Sequence, residues 1–143
     1  MSFDSSRTAV VAVHFQNDIV GPDGAFAGFF RAEVERTGVI DSAARLLGGA
    51  RTAGATVLYT PVAWKPGYAD RNANSPLLGM VAQTQCLQNG STGAAITDEV
   101  IPRDSDQVVT HKRVGGSSDS GLDATLKAAG VDTVVFCGVA TNA

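Results

Sequence analysis

Thr8-Ala-Val-Val-Ala-Val13 is apolar at every position after its first and runs directly into His14-Phe-Gln-Asn-Asp18. A short apolar run that is continuous rather than alternating fits a strand covered on both faces. Three more runs have this character: residues 55–60 (A-T-V-L-Y-T, followed by Pro61), residues 107–110 (Q-V-V-T) and residues 133–137 (T-V-V-F-C). Between the first two, Val39, Ile40, Ala43, Ala44, Leu47 and Ala50 recur at helical spacing on one face. Gly48 and Gly49 each weaken such a helix by about 1 kcal/mol relative to Ala, which suggests a close approach to the sheet there. Gly54 ends this helix. A second helix is expected over residues 120–129, with Leu122, Leu126 and Ala129 as its buried stripe and Gly130 as its stop. Strands alternating with helices predict an α/β fold, a three-layer α/β/α arrangement around a mainly parallel, Rossmann-like sheet. The segment from Pro61 to Asp106 is less regular. Ser75-Pro76 opens a short capped helix through Leu77, Leu78, Met80 and Val81, and Trp64, Gly67 and Tyr68 lie on a long loop of the kind that often carries function.

The chain's 143 residues fit one domain. A hydrophobic fraction of 44% supports a real core, so disorder is not expected. Eleven basic against 14 acidic residues give a net charge of −3 with no basic block, which removes the electrostatic footprint of a nucleic-acid partner. No run approaches the ~18 apolar residues of a membrane span. The first residues lack signal-peptide architecture. Two cysteines, Cys86 and Cys137, cannot form a disulfide scaffold and fit a cytoplasmic protein.

Ligands of open parallel sheets bind beyond the carboxyl ends of the strands. The residues there are His14 to Asp18, Pro61 to Trp64, His111 to Arg113, and Gly138 to Ala143. Both histidines of the chain fall in this set. With Lys112 they could form an acid/base group converging on one crevice. The plainer reading is a hydrogen-bonded, partly buried His14 and a solvated Lys112. Neither a GxxxxGK[ST] nor a GxGxxG sequence is present, which argues against a nucleotide-binding module. Gly115-Gly116-Ser117-Ser118 suits a flexible loop better than an anion nest. The scattered histidines and cysteines have no zinc-site spacing. Cys137, within an apolar strand, and Cys86 read as structural thiols.

Three stretches carry a family resemblance: A-V-V-A-V-H-F-Q-N-D-I-V (residues 9–20), G-A-A-I-T-D-E-V-I-P-R-D-S-D-Q-V-V-T-H-K-R-V-G (residues 93–115) and G-V-D-T-V-V-F-C-G-V-A-T-N-A (residues 130–143). The chain resembles the isochorismatase-like cysteine hydrolases, which include nicotinamidases. The resemblance implies an Asp, Lys and Cys triad, with the cysteine at a helix N-terminus where the dipole favours thiolate. Backbone N–H groups beside the cysteine would hold the oxyanion. Gly138, Val139, Ala140, Thr141, Asn142 and Ala143 would form that nucleophile turn, with a cis peptide at Val139–Ala140. The cysteine itself would follow Ala143. A parallel strand needs helices on both faces, so the sequence is read as the N-terminal portion of a family domain, lacking its C-terminal strands and helices.

The chain departs from the family pattern at the triad. His14 takes the aspartate position, and Asp18 matches the family's second, non-catalytic acid. A gap-free match puts His111 at the lysine position; a one-residue slip puts Lys112 there instead. Such a slip turns a strand side chain to the opposite face, so at most one of the two enters the site. Pro61 to Tyr68 supplies no Asp or His for a nicotinamidase-type metal site. The resemblance thus implies a cofactor-independent hydrolase of a small amide, imide or vinyl-ether-type substrate, with no metal. Its catalytic groups would be His14 with His111 or Lys112, its substrate walls Phe15, Trp64 and Tyr68, and its assembly a homo-oligomer. The alternative is a degenerate member that binds a small ligand or a protein without turnover.

Overall fold

The computed structural model describes residues 3–72, 74–113, 117 and 120–140. Four strands form one sheet in the order β3-β2-β1-β4. Strand β1 (Thr8–Val13) lies parallel between β2 (Thr56–Thr60) and β4 (Thr133–Gly138), and β3 (Gln107–Val108) pairs parallel with β2. The expected α/β fold with a parallel sheet is therefore present, and its registers are fixed by pairs such as Val11 with Leu58 and Val11 with Phe136.

Period-two alternation explains why the strands read as unbroken apolar runs. Val10, Ala12, Val57 and Tyr59 enter one core with Ala43, Leu47 and Ala50 of α3 (Val39–Thr52). Val11 and Leu58 enter the other with Leu122 of α5 (Leu122–Ala128), and Leu126 packs against it. Strands β1 and β2 thus each feed two cores, so both of their faces must be apolar. Beyond Val11, Phe136 on the same face is 63% exposed.

Helices α3 and α5 follow the predicted positions. Gly54 and Gly130, just past them, have φ of 79° and 69°, a left-handed conformation that suits glycine at a helix stop. Gly48 and Gly49 are a correction. A Cβ at either would meet nothing within 4 Å, so no close sheet contact requires them. Ser75 caps α4 (Pro76–Gln83) by accepting a hydrogen bond from the Leu78 N–H, as predicted. Two helices escaped the sequence reading, α1 (Asn17–Val20) and α2 (Ala27–Thr37). Strand β3 is shorter than the predicted run, with both residues exposed. Among the described residues, no helix is long and apolar enough to cross a membrane.

One ion pair locks α3 to the sheet edge. Arg51 contacts Asp106 at 2.5 Å and donates to the Tyr59 hydroxyl at 3.0 Å. The Asp106 side chain is only 2% exposed.

Candidate active site

The rim at the carboxyl ends of β1, β2 and β3 is built by a short chain of hydrogen bonds. Gln16, fully buried, donates its amide to the Val62 and Ala94 carbonyls at 2.8 Å each, and its carbonyl accepts from the Val62 N–H at 2.9 Å. Val62 in turn bridges to His111 in parallel register. The His111 N–H donates to Pro61 at 3.0 Å, so strand-like pairing continues past β3. Asp18 accepts from the Leu87 N–H at 2.7 Å, and its own N–H donates to Gly93. A Cβ on Gly93 would sit 2.2 Å from an Asp18 carboxylate oxygen, so any other residue there forces that carboxylate to shift. Gln16, Asn17 and Asp18 therefore act as a clasp between β1 and the loops at residues 87–95.

This rim brings the two histidines together. Their ring centroids lie 5.0 Å apart with planes tilted by 53°. His14 has a left-handed backbone, φ 60°, which His tolerates better than bulky residues do. Burial, aided by the neighbouring His111, pushes the His14 pKa down to about 4, against a Gln16 hydrogen bond that raises it. Burial likewise lowers the pKa of His111. Both rings are thus neutral near pH 7. The His111 Nδ1 lies 2.8 Å from the Arg113 carbonyl oxygen. A carbonyl can only accept, so Nδ1 carries the proton and Nε2 is left with its lone pair. Nε2 of His111 and Nδ1 of His14 are both buried without a hydrogen-bond partner.

Both histidines line a cavity of about 390 Å³. Trp64 lines it as well, from the loop after β2. Helix α2 contributes Phe30, and α4 contributes Leu77, Leu78 and Val81. The sequence reading missed these walls. The recurrence of Phe26, Phe30 and Val34 at intervals of four was the available signal for α2.

Of the three residues expected to wall the substrate, Trp64 alone lines this cavity. Phe15 is 1% exposed within the core, and Tyr68 donates its hydroxyl to the Cys86 carbonyl at 2.7 Å. Lys112 pairs with Asp70 at 2.6 Å, its side chain 45% exposed. It is not among the lining residues, and His111 is.

Val139 and Ala140 line the cavity from the end of β4. Gly138 is required by close approach, since a Cβ would sit 2.6 Å from the Val13 carbonyl oxygen. No peptide among the described residues is cis, so the Val139–Ala140 bond is trans, contrary to expectation; Ala140 has φ 58° instead. Thr141, Asn142 and Ala143 lie outside the described residues, as do Gly115, Gly116 and Ser118. Burial raises the Cys137 thiol to about 11, and it raises Cys86 too, so both are poor thiolates. Among the described residues no three His, Cys, Asp or Glu side chains converge to hold a metal ion.

A parallel α/β sheet with paired histidines beside a half-open cavity at its carboxyl rim has the arrangement of a Rossmann-like fold. The isochorismatase domain profile matches residues 8–143, and the chain belongs to the isochorismatase family. It is 35% identical over 157 aligned residues to the ureidoacrylate amidohydrolase RutB of Methylobacterium radiotolerans, with 99% of the chain aligned to 60% of that protein. It is 33% identical to the protein of the same name from Azorhizobium caulinodans, over 99% of the chain and 68% of the relative. A cysteine hydrolase from Pseudomonas syringae pv. phaseolicola superposes with a TM-score of 0.86 at 25% identity, covering 99% of this chain and 63% of that one. The N-carbamoylsarcosine amidase of Thermoplasma acidophilum shares the fold, with a TM-score of 0.73 at 24% identity over 92% of this chain and 67% of that one. The chain thus spans about 60% of the length of the first of these relatives.

Proposed function

We propose that this chain carries the proton-transfer half of a cofactor-independent amide hydrolase whose nucleophile is a cysteine following Ala143. The observation that carries the reading is the pair of neutral histidines, each with one ring nitrogen lacking a hydrogen-bond partner, at a cavity on the strand-end rim. His111, with Nδ1 pinned by the Arg113 carbonyl, presents Nε2 as a proton acceptor. It takes the role that the family gives to lysine. His14 replaces the aspartate and relays the proton to the leaving nitrogen. Lys112, committed to Asp70, stays outside. A thiolate formed by proton loss to the histidine pair attacks the carbonyl carbon, and water later releases the acyl group. Backbone N–H groups of the turn at residues 138–143 hold the oxyanion.

The amidohydrolase names of its relatives support an amide substrate. A small-molecule substrate, a cytoplasmic setting and a homo-oligomeric assembly complete the proposal. The test uses the intact protein against a panel of small amides that includes ureidoacrylate, with iodoacetamide labelling mapped by mass spectrometry. Hydrolysis that is abolished by His111→Gln and kept by Lys112→Met is expected, with the adduct on the residue after Ala143. An unreactive residue there, or Lys112→Met as damaging as His111→Gln, overturns the assignment.

A second reading is a binding protein without turnover. The observation favouring it is that a charged acid and base are replaced by two neutral rings. Hydrolysis abolished by His14→Asn rules it out.

A further inference from the structure

Gln16 has one hydrogen-bonding capacity that the frame of the rim leaves over. Its amide nitrogen carries two N–H groups. Both are spent, on the Val62 and Ala94 carbonyls at 2.8 Å each. Its carbonyl oxygen has two lone pairs, and the Val62 N–H takes one at 2.9 Å. The amide cannot be turned over. Reversed, it would set N–H against N–H and oxygen against two carbonyls. The residue is fully buried, where an unmet acceptor is costly.

The hydrogen bond between Gln16 and the His14 ring uses that second lone pair. Both amide N–H groups are committed elsewhere, so His14 donates and Gln16 accepts. The donating nitrogen is not Nδ1, which is buried without a partner. It is therefore Nε2. A neutral imidazole carries a single N–H, so Nδ1 keeps the lone pair. His111 holds the opposite tautomer, with Nδ1–H against the Arg113 carbonyl. The two rings are thus oriented by different acceptors, a side chain for His14 and the backbone for His111. A carboxylate in place of the Gln16 amide would favour the imidazolium through its charge. The amide orients the ring without adding that charge.

We infer that Gln16 is a positioning residue for His14: it fixes the ring in the Nε2–H tautomer and leaves Nδ1 as the nitrogen that takes up a proton. That Nδ1 then carries the proton during turnover rests on the amide-hydrolase reading above, whereas the tautomer does not.

Histidine ¹⁵N spectra of the intact protein near pH 7 test this, because protonated and bare ring nitrogens resonate in well-separated regions. Wild-type His14 is expected as one neutral tautomer, with Nε2 protonated and its proton close to the Gln16 side chain by nuclear Overhauser contact. Two substitutions separate orienting from packing. Gln16→Met removes the acceptor and both donors. Gln16→Glu keeps an acceptor and loses the bonds to the Val62 and Ala94 carbonyls. His14 should become a mixture of tautomers in Gln16→Met and keep Nε2–H in Gln16→Glu. A packing role alone would move both variants alike. On an amide that the wild type hydrolyses, Gln16→Met should lower kcat about tenfold or more, with a smaller change in KM. Wild-type His14 protonated on Nδ1, an even mixture in wild type, or an Nε2–H signature that survives Gln16→Met overturns the inference. The wild-type spectrum decides by itself if Gln16→Met does not fold. A protein that shows this tautomer and hydrolyses nothing refutes the hydrolase reading and keeps this one. Amide hydrolysis with His14 in the other tautomer does the reverse.

Discussion

Acid should unfold this protein through His14 in a way that one substitution can isolate. The folded pKa is about 4 against the ordinary 6.5, chiefly because burial disfavours the imidazolium, with the neighbouring His111 adding to it. At ~1.36 kcal/mol per pH unit, that difference is worth about 3 kcal/mol. The folded value is the depressed one, so the unfolded chain binds the proton first. Stability is therefore complete above the unfolded pKa of 6.5. It falls as pH drops through the window from 6.5 to about 4, and His14 adds no further loss below that. His111 shifts in the same direction and contributes to the same fall. Asparagine is the replacement of choice because it tolerates the φ of 60° at this position. Urea denaturation of wild type and His14→Asn, repeated from about pH 7.5 to about pH 4.5, separates this term from the carboxylates common to both. The wild type should lose about 2–3 kcal/mol more than the variant over that range. Parallel stability curves, or a steeper loss in the variant, would refute the claim that His14 is held neutral by burial.

Asp106→Asn removes the partner of Arg51 at a contact where the carboxylate is almost fully buried, and should cost about 3 kcal/mol in urea denaturation. Lys112→Ala removes the solvent-exposed partner of a pair whose Asp70 side chain still accepts from the Lys65 N–H, and should change stability by about 1 kcal/mol or less in the same assay. Gly93→Ala drives a methyl group into the Asp18 carboxylate and should lower stability by about 1–3 kcal/mol, with faster hydrogen exchange at the Leu87 amide as its local sign. Cys137, with a thiol pKa of about 11, should remain unlabelled by iodoacetamide in the native protein at pH 8 and react once urea is added.

Strands β1, β2 and β4 were legible because a strand serving two cores must be apolar on both faces, and that leaves an unbroken run. Strand β3 was only half legible, since its two exposed residues at the sheet edge carry no such pressure. Helix α2 was legible only in the four-residue recurrence of Phe26, Phe30 and Val34, a signal weakened because the helix buries Val34 alone and exposes Phe29 to 69%. The meeting of His14 and His111 was foreseeable from their places at strand ends, because parallel order sets all such ends on one rim. The choice between His111 and Lys112 was not foreseeable. Adjacent residues differ in facing, and register with Val62 decides which one turns inward. The cavity walls from α2 and α4 were equally out of reach. They arise from contacts between segments far apart in sequence, which no local pattern encodes. The demotion of Phe15 and Tyr68 has the same cause, since an aromatic beside a strand end can face the core as easily as the crevice.

The Gln16 side chain has a consequence for how this site could change over time. Its amide exchanges two hydrogen bonds with Val62 as a peptide group in a neighbouring strand would. Val62 is also the bridge partner of His111. The spacing of the two histidines is therefore inherited from the sheet rather than from the loops. Helices α2 and α4, which bring the hydrocarbon walls, have no part in that frame. Substitutions there can retune what the cavity admits while the paired rings stay in place, so specificity and chemistry in this domain can drift independently. The exception is position 16 itself. A glutamate of nearly the same shape would lose both donor bonds and turn its oxygens toward the Val62 and Ala94 carbonyls, disturbing the histidine spacing without touching either ring.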